Sequence, residues 1–241
     1  MIKFFRKIRY NYMEQNKTGK YLKYAIGEIA LVVIGILIAL QINNWNESRK
    51  ESDKLNQVYE RILIDVENDL NELSANLAYY KKQEHVFKAV VNDSISLELL
   101  DDGLSRVLFE SFVTKLNKAG VNQLKVLTSK DSLSLKIIEI YDVMENFMVQ
   151  GIEKDLNNDS RYLANIFRDN YTWFPEWQKK TIMKDNSSKE LQDYFLTSMQ
   201  YKHHMIQANQ DIYNNYVPMI EYSIFTLKDI KEELQSLLDK T

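Results

Sequence analysis

The 241-residue chain reads as an all-α protein, with one N-terminal transmembrane helix continuing into an elongated, antiparallel, coiled-coil-like helical bundle outside the membrane. Three observations predict this. Tyr24 to Ile42, YAIGEIALVVIGILIALQI, is a 19-residue apolar run with one formal charge, Glu28. The chain holds six glycines and two prolines, too few for the turns of a β-sandwich or an α/β domain. Beyond the run, apolar residues recur at three- and four-residue steps, the period of a helix face. The expected regions are a basic cytoplasmic arm (1–23), a transmembrane signal anchor (24–42) and an extracytoplasmic helical domain (43–241).

Residues 1–12, MIKFFRKIRYNY, place Met1, Phe4, Phe5, Ile8 and Tyr12 on one helical face, with Lys3, Arg6, Lys7 and Arg9 largely around the other. The arm reads as a short amphipathic helix in the membrane interface, or else as a disordered basic tail, and it is too short for an enzymatic or signalling output domain. The apolar run has the length that a hydrocarbon core of about 30 Å demands. Tyr21 and Tyr24 at one end and Trp45 at the other are the aromatic markers of its two interfaces, joining Phe4 and Phe5 as interfacial anchors. Residues 1–23 carry seven Lys or Arg against Glu14 alone, whereas Glu47 to Lys54 mixes three bases with three acids. The positive-inside rule then puts the N-terminus in the cytoplasm and the large domain outside. No small-x-small cleavage site follows the run, which favours an uncleaved anchor over a signal peptide. Within it Gly35 and Ala39, on nearly the face of Glu28 and Val32, form a candidate seam for helix–helix contact in lipid. Glu28 itself reads either as an interfacial group paired with Lys20 or Lys23, or as a helix-contact or ion-coupled group.

The stretch Lys17 to Glu47, KTGKYLKYAIGEIALVVIGILIALQINNWNE, resembles the N-terminal signature of a family of unknown function found widely in Bacteroidota. The resemblance continues more loosely through Asn117–Tyr141. It implies one membrane helix, a helical extracytoplasmic region and the inner membrane of a Gram-negative envelope. It implies no activity and no catalytic residues.

From Asn43 to about Val91 no Pro or Gly interrupts the chain, and Leu55, Tyr59, Ile62, Val66, Leu70, Leu73, Leu77 and Tyr80 form a seam. Asp65, Asp69 and Glu72 make an acidic stripe off that seam, which reads as a solvated face. Asn92-Asp93-Ser94 and Asp101-Asp102-Gly103 are turn chemistry. A helix is expected from Leu104 to about Lys115, a break at Gly120, and a short amphipathic segment over Val121–Leu127. Lys130-Asp131-Ser132 can cap a helix running to about Leu156, with Leu135, Ile138, Tyr141, Val143 and Phe147 as its apolar face. A turn at 157–160 and a helix over 161–170 follow. Tyr171, Trp173, Phe174 and Trp177 form the one dense aromatic cluster. It reads as a plug capping the bundle end or as an exposed patch for a partner. Ser187-x-x-Glu190 has capping-box spacing before a second long helix, expected to reach Lys240 with a kink at Pro218 and to pair antiparallel with the first.

Residues 43–241 carry 24 bases against 32 acids, an imbalance that argues against a nucleic-acid partner. The chain has no cysteine, which removes disulfides, thiolate metal sites, a thiol nucleophile and palmitoylation. There is no phosphate-binding Gly-rich loop, no H-E-x-x-H and no G-x-S-x-G, and His203 and His204, being adjacent, make a poor chelate. No cofactor and no enzymatic activity are expected. The expected role is a scaffold or accessory subunit of an inner-membrane complex, with membrane lipid, further copies of itself or another envelope protein as partners. A periplasmic ligand-sensor bundle acting through a partner membrane protein is the alternative.

Overall fold

The structure, a computed structural model, describes residues 10, 18–110, 113–128, 130–179 and 181–240. Regular structure among these residues is entirely helical. The chain divides into two units, Met1–Leu55 and Asn56–Thr241.

The first long helix, α1, is Thr18–Val91; it begins in the first unit and continues into the second. Every residue from Ile29 to Lys54 is exposed. Among the described residues α1 is the one helix long and apolar enough to cross a membrane, and none of its apolar window is buried. Phe4 and Phe5 lie outside the described residues, as do the side chains of Tyr21 and Tyr24; Trp45 is exposed.

In the second unit α1 turns its seam inward, burying Tyr59, Ile62, Val66, Leu73 and Tyr80. It ends where the turn chemistry predicts. Asp93 adopts φ 56°, and the N–H groups of Ser94 and Asp93 donate to the carbonyls of Ala89 (2.8 Å) and Val90 (3.3 Å). This left-handed cap satisfies carbonyls that the helix leaves open. A 3₁₀ turn, Leu97–Leu100, leads to Gly103 at φ 98°, a conformation that favours glycine. Next come α2 (Ala119–Val126) and α3 (Ser132–Val143), whose N-cap Asp131 accepts from Ser134 N–H at 2.8 Å. A wide π-helical turn, Met144–Glu153, joins α3 to α4 (Lys154–Asn170). The short α5 (Phe174–Gln178) precedes α6 (Lys189–Thr197) and α7 (Met199–Asn209). A second π-helical turn, Gln210–Tyr216, leads into α8 (Val217–Leu238). Contacts between α1 and the C-terminal helices run in opposite chain directions. Asp93 meets Lys202, Phe87 packs on Tyr213 (centroids 5.4 Å), Tyr213 Oη donates to the Tyr80 carbonyl (2.9 Å), and Glu67 pairs with Lys231 (2.9 Å).

Several expectations need correction. No helix spans Leu104–Lys115. Residues 101–109 form successive turns, with Arg106 and Val107 both donating to the Gly103 carbonyl, and 113–118 has no regular structure. The turn at 157–160 is absent: helix runs unbroken from Ser132 to Asn170, and the polar residues there serve its side, Asp159 meeting His204 Nδ1 at 2.7 Å. Ser188, not Ser187, caps α6, accepting from Leu191 N–H at 3.4 Å. The second long helix is interrupted at Ser198, whose hydroxyl accepts from Tyr201 N–H (3.2 Å) and restarts the helix. That restart changes the phase, so Tyr201, Met205 and Ala208 are buried while Met199 and Ile206 are exposed. Pro218 falls one residue into α8, directly after the π-helical turn, where the regular four-residue hydrogen-bond ladder is already interrupted. Finally, the segment 132–153 has two apolar faces. Leu133, Ile137, Ile140, Tyr141, Met144 and Met148 face inward, leaving Leu135 and Phe147 exposed.

Candidate functional site

The second unit is organised around an extended strap held by carboxylates. Thr114 N–H donates to Glu153 Oε2 (2.9 Å), Lys115 N–H to Glu72 Oε1 (2.6 Å), Asn117 N–H to Asp69 Oδ1 (2.9 Å) and Gly120 N–H to Asp65 Oδ2 (2.8 Å). Asp65, Asp69 and Glu72 follow one another at four- and three-residue spacing, which sets them on one face of α1. The strap lies on that face, so the expectation of a solvated stripe is overturned: Asp65 is buried and Asp69 is 1% exposed. Backbone N–H groups replace the water that a charged stripe would otherwise need. They also explain why 113–118 is not a helix, because its donors are already taken by side chains from other elements.

The carboxylates are further shared with tyrosines. Tyr141 Oη donates to Asp69 Oδ2 (2.6 Å), and Asn117 Nδ2 donates to Asp69 Oδ1 (2.7 Å). Glu153, 2% exposed, accepts from the hydroxyls of Thr114 and Tyr216, while Asn76 Nδ2 donates to Thr114 Oγ1 (3.2 Å). Glu153 and Tyr216 are the last residues of the two π-helical turns. Each wide turn shifts the helical phase by about one residue and so delivers a side chain that a regular helix would point elsewhere. Gly120 allows the closest approach. A Cβ there would lie 2.6 Å from Ile62 Cγ1 and 3.0 Å from the Ile62 backbone nitrogen.

Burial pushes the Asp69 carboxyl above the usual range, with the neighbouring Asp65 adding to the effect, against the hydrogen bonds from Tyr141 and Asn117. Burial likewise raises Tyr141, reinforced by Asp69, and raises Tyr216, reinforced by Glu153. Asp131 behaves oppositely. Burial works against its charge, but hydrogen bonds from Tyr59 (2.5 Å) and from the Ser134 backbone and side chain outweigh it and lower the carboxyl.

The oxygens of Glu153 and Asp69 are taken up by donors of the chain itself, so this arrangement is a clamp on backbone, closed to a substrate. Among the described residues no group of three or more His, Asp or Glu is arranged to hold a metal. The histidines meet separate partners, His85 at Asp102 (3.4 Å) and His204 at Asp159.

The aromatic cluster packs inward. Trp173 and Trp177 are buried and Tyr171 and Phe174 half-buried, so of the two readings of these residues the exposed partner patch is the one corrected. Phe167 from α4 sits among them, with ring centroids 5.2 Å from Trp173 and 5.3 Å from Trp177. Trp177 Nε1 donates to the Ser105 carbonyl (2.9 Å), and the Arg106 guanidinium lies over its ring at 4.6 Å. Trp177 thus finds apolar and polar partners within the unit, whereas the buried Trp173 Nε1 and the Arg106 Nε and Nη2 have no hydrogen-bond partner among the described residues. In the first unit Val32, Gly35 and Ala39 are exposed and Glu28 is half-buried. A Cβ on Gly35 would meet nothing within 4 Å.

The strap also marks where the chain resembles known proteins. Residues 28–118 match the profile of a family of unknown function, DUF6090. The match opens at Glu28 rather than Lys17 and closes at Lys118, on the strap itself. It therefore holds three of the clamping carboxylates, Asp65, Asp69 and Glu72, and most of the backbone they grip. Glu153, Tyr141 and Tyr216 fall outside it. No curated protein and no solved structure matches the chain. Sequence reasoning does not find the strap: the spacing of Asp65, Asp69 and Glu72 puts them on one face of α1 but does not say which distant segment they hold.

Proposed function

We propose that the chain is a single-span membrane protein of a Gram-negative inner membrane, N-terminus inside, whose second unit is an antiparallel helical bundle in the periplasm. It serves as a non-enzymatic, self-associating scaffold or accessory subunit of an envelope complex. The observation that carries this reading is the apolar length of α1, none of whose apolar window is buried among the described residues, although the second unit buries its own apolar residues closely. Such a surface is stable in lipid and costly in water. The distribution of bases before the span supplies the orientation. The closed clamp supports a structural role, because its carboxylates are committed to holding backbone.

The ligand-sensor alternative predicts a buried polar pocket between helices near Trp173 and Trp177. The rings there pack on one another, which favours the scaffold reading.

The test is extraction of the full chain from native membranes into nanodiscs, followed by mass photometry and mass spectrometry of the retained species. A homo-oligomer or a stoichiometric membrane partner is expected. A lone monomer, or a chain that stays soluble without detergent, overturns the proposal.

A further inference from the structure

The two apolar faces of residues 132–153 leave one set of side chains with nothing to pack on. Phe147 is 61% exposed, Leu135 59%, Tyr222 56% and Phe225 72%. They belong to one surface. One shallow groove beside Phe147 is lined by Leu135, Ile138 and Val143. A second, on its other side, is lined by Val143, Ile152, Pro218, Met219 and Tyr222. Phe225 follows Tyr222 by three residues on α8, hence on the same helix face.

We infer that this face is a contact between two copies of the chain, with the Phe147 ridge of each copy seated in a groove of the other. The inference rests on the membrane-scaffold reading and names the partner that reading leaves open. Three features select a second copy. The surface presents a ridge and the grooves to receive it, the self-complementary shape that a two-fold contact requires. The groove at Met219 and Tyr222 has no charged lining, and the other groove carries Glu139 and Asp142, the latter held by Lys125 at 2.5 Å, so the surface is least charged around Met219 and Tyr222. Two copies of an acidic unit meet with least repulsion over such a surface, and interface cores are depleted of charge in general. The area also fits. Aromatic side chains carry about 150–250 Å² each, so the three exposed rings and their aliphatic neighbours offer roughly 500 Å² per copy, or about 1,000 Å² over the pair. That sits at the lower edge of specific interfaces. It suits partners already confined to one membrane, where tethering raises the effective concentration.

The absence of cysteine makes the test clean. Single-cysteine variants Phe147→Cys and Phe225→Cys of the full chain, in native membranes, are treated with a short bis-maleimide. Val126→Cys on α2 serves as an exposed control and Ala39→Cys as a probe of the membrane segment. Cross-linked dimers at positions 147 and 225 but not at 126 are the expected result. Phe147→Ser combined with Phe225→Ser, both at exposed positions and so without consequence for folding, should weaken dimerisation at least tenfold by mass photometry. Dimers captured only through Ala39→Cys would overturn this face while leaving self-association standing. A cross-link from position 147 to a different protein overturns the second copy as occupant. Absence of cross-linked species at every position removes both this inference and self-association.

Discussion

Residues 29–54 and the clamp around the strap invert one another. The first is a long helix that shows apolar side chains to its surroundings; the second is a set of carboxylates buried among helices. Both break the ordinary rule of apolar inside and polar outside, for opposite reasons. Around the clamp the chain supplies its own polar environment, in backbone N–H groups and tyrosine hydroxyls. The apolar run is exposed among the described residues, and in the proposed reading lipid supplies its environment. The difference teaches that burial alone does not assign a role; the source of each group's partners does.

The comparison breaks most visibly in the apolar run. Val33→Arg with Leu37→Arg should cost roughly 5–7 kcal/mol of insertion, at about 2.5–3.5 kcal/mol per arginine near a helix centre. The chain should leave the carbonate-resistant membrane fraction while the urea midpoint of the second unit, followed by tryptophan fluorescence, holds. On the clamp side, Glu153→Ala strands the Thr114 N–H and leaves the Tyr216 hydroxyl only its contact with Thr114 Oγ1 (3.1 Å). A loss of about 3–5 kcal/mol in urea unfolding follows, and a wild-type midpoint would show that the strap does not close the unit. Gly120→Ala forces a methyl against Ile62 and should cost about 1–3 kcal/mol by the same assay.

A pH series sharpens the comparison further. Asp69 has its carboxyl raised on folding, so its contribution is fully present below the unfolded value and is lost as pH rises through the folded one. Asp131 is lowered, so its contribution is present above the unfolded value and is lost as pH falls through the folded one. Urea midpoints from about pH 3 to about pH 7 should therefore lose their high-pH decline in Asp69→Asn and part of their acid-side decline in Asp131→Asn. The smallest effect is expected at the Glu67–Lys231 ion pair, where Lys231→Ala should change stability by less than about 1 kcal/mol.

What was legible in the sequence was what composition and period decide. The apolar run needs only a count of residues. The seam of α1 appears because Tyr59, Ile62, Val66, Leu73 and Tyr80 keep one phase without interruption. The cap at Asp131 and the end of α1 at Asp93 are local chemistry. The strap was illegible because its backbone is held by groups distant in the chain: Asp65 grips Gly120, 55 residues on, and Glu153 grips Thr114 from 39 residues away. No local signal distinguishes such a segment from a helix. The π-helical turns defeated the reading for another reason. They change phase in mid-helix, so an apolar stripe extended from Ser132–Val143 through 144–153 does not keep one face. Ser198 does the same between α6 and α7. At the aromatic cluster the residue types were evident but not their direction, since a buried plug and an exposed patch use the same side chains.

The convergence of Thr114, Glu153 and Tyr216 sets an order of events in the making of the protein. A ribosome delivers the chain from the N-terminus, at about 5–20 residues per second. The acids of α1 and the strap emerge well before Tyr216, whose hydroxyl lies 63 residues beyond the Glu153 it completes. Until then Glu153 lacks one of its donors, and the partly made unit has reason to stay open and hydrated. Closure is then expected as a late step, after Tyr216 has been synthesised. Backbone amide exchange at Thr114 and Lys115 would be the clock of that step.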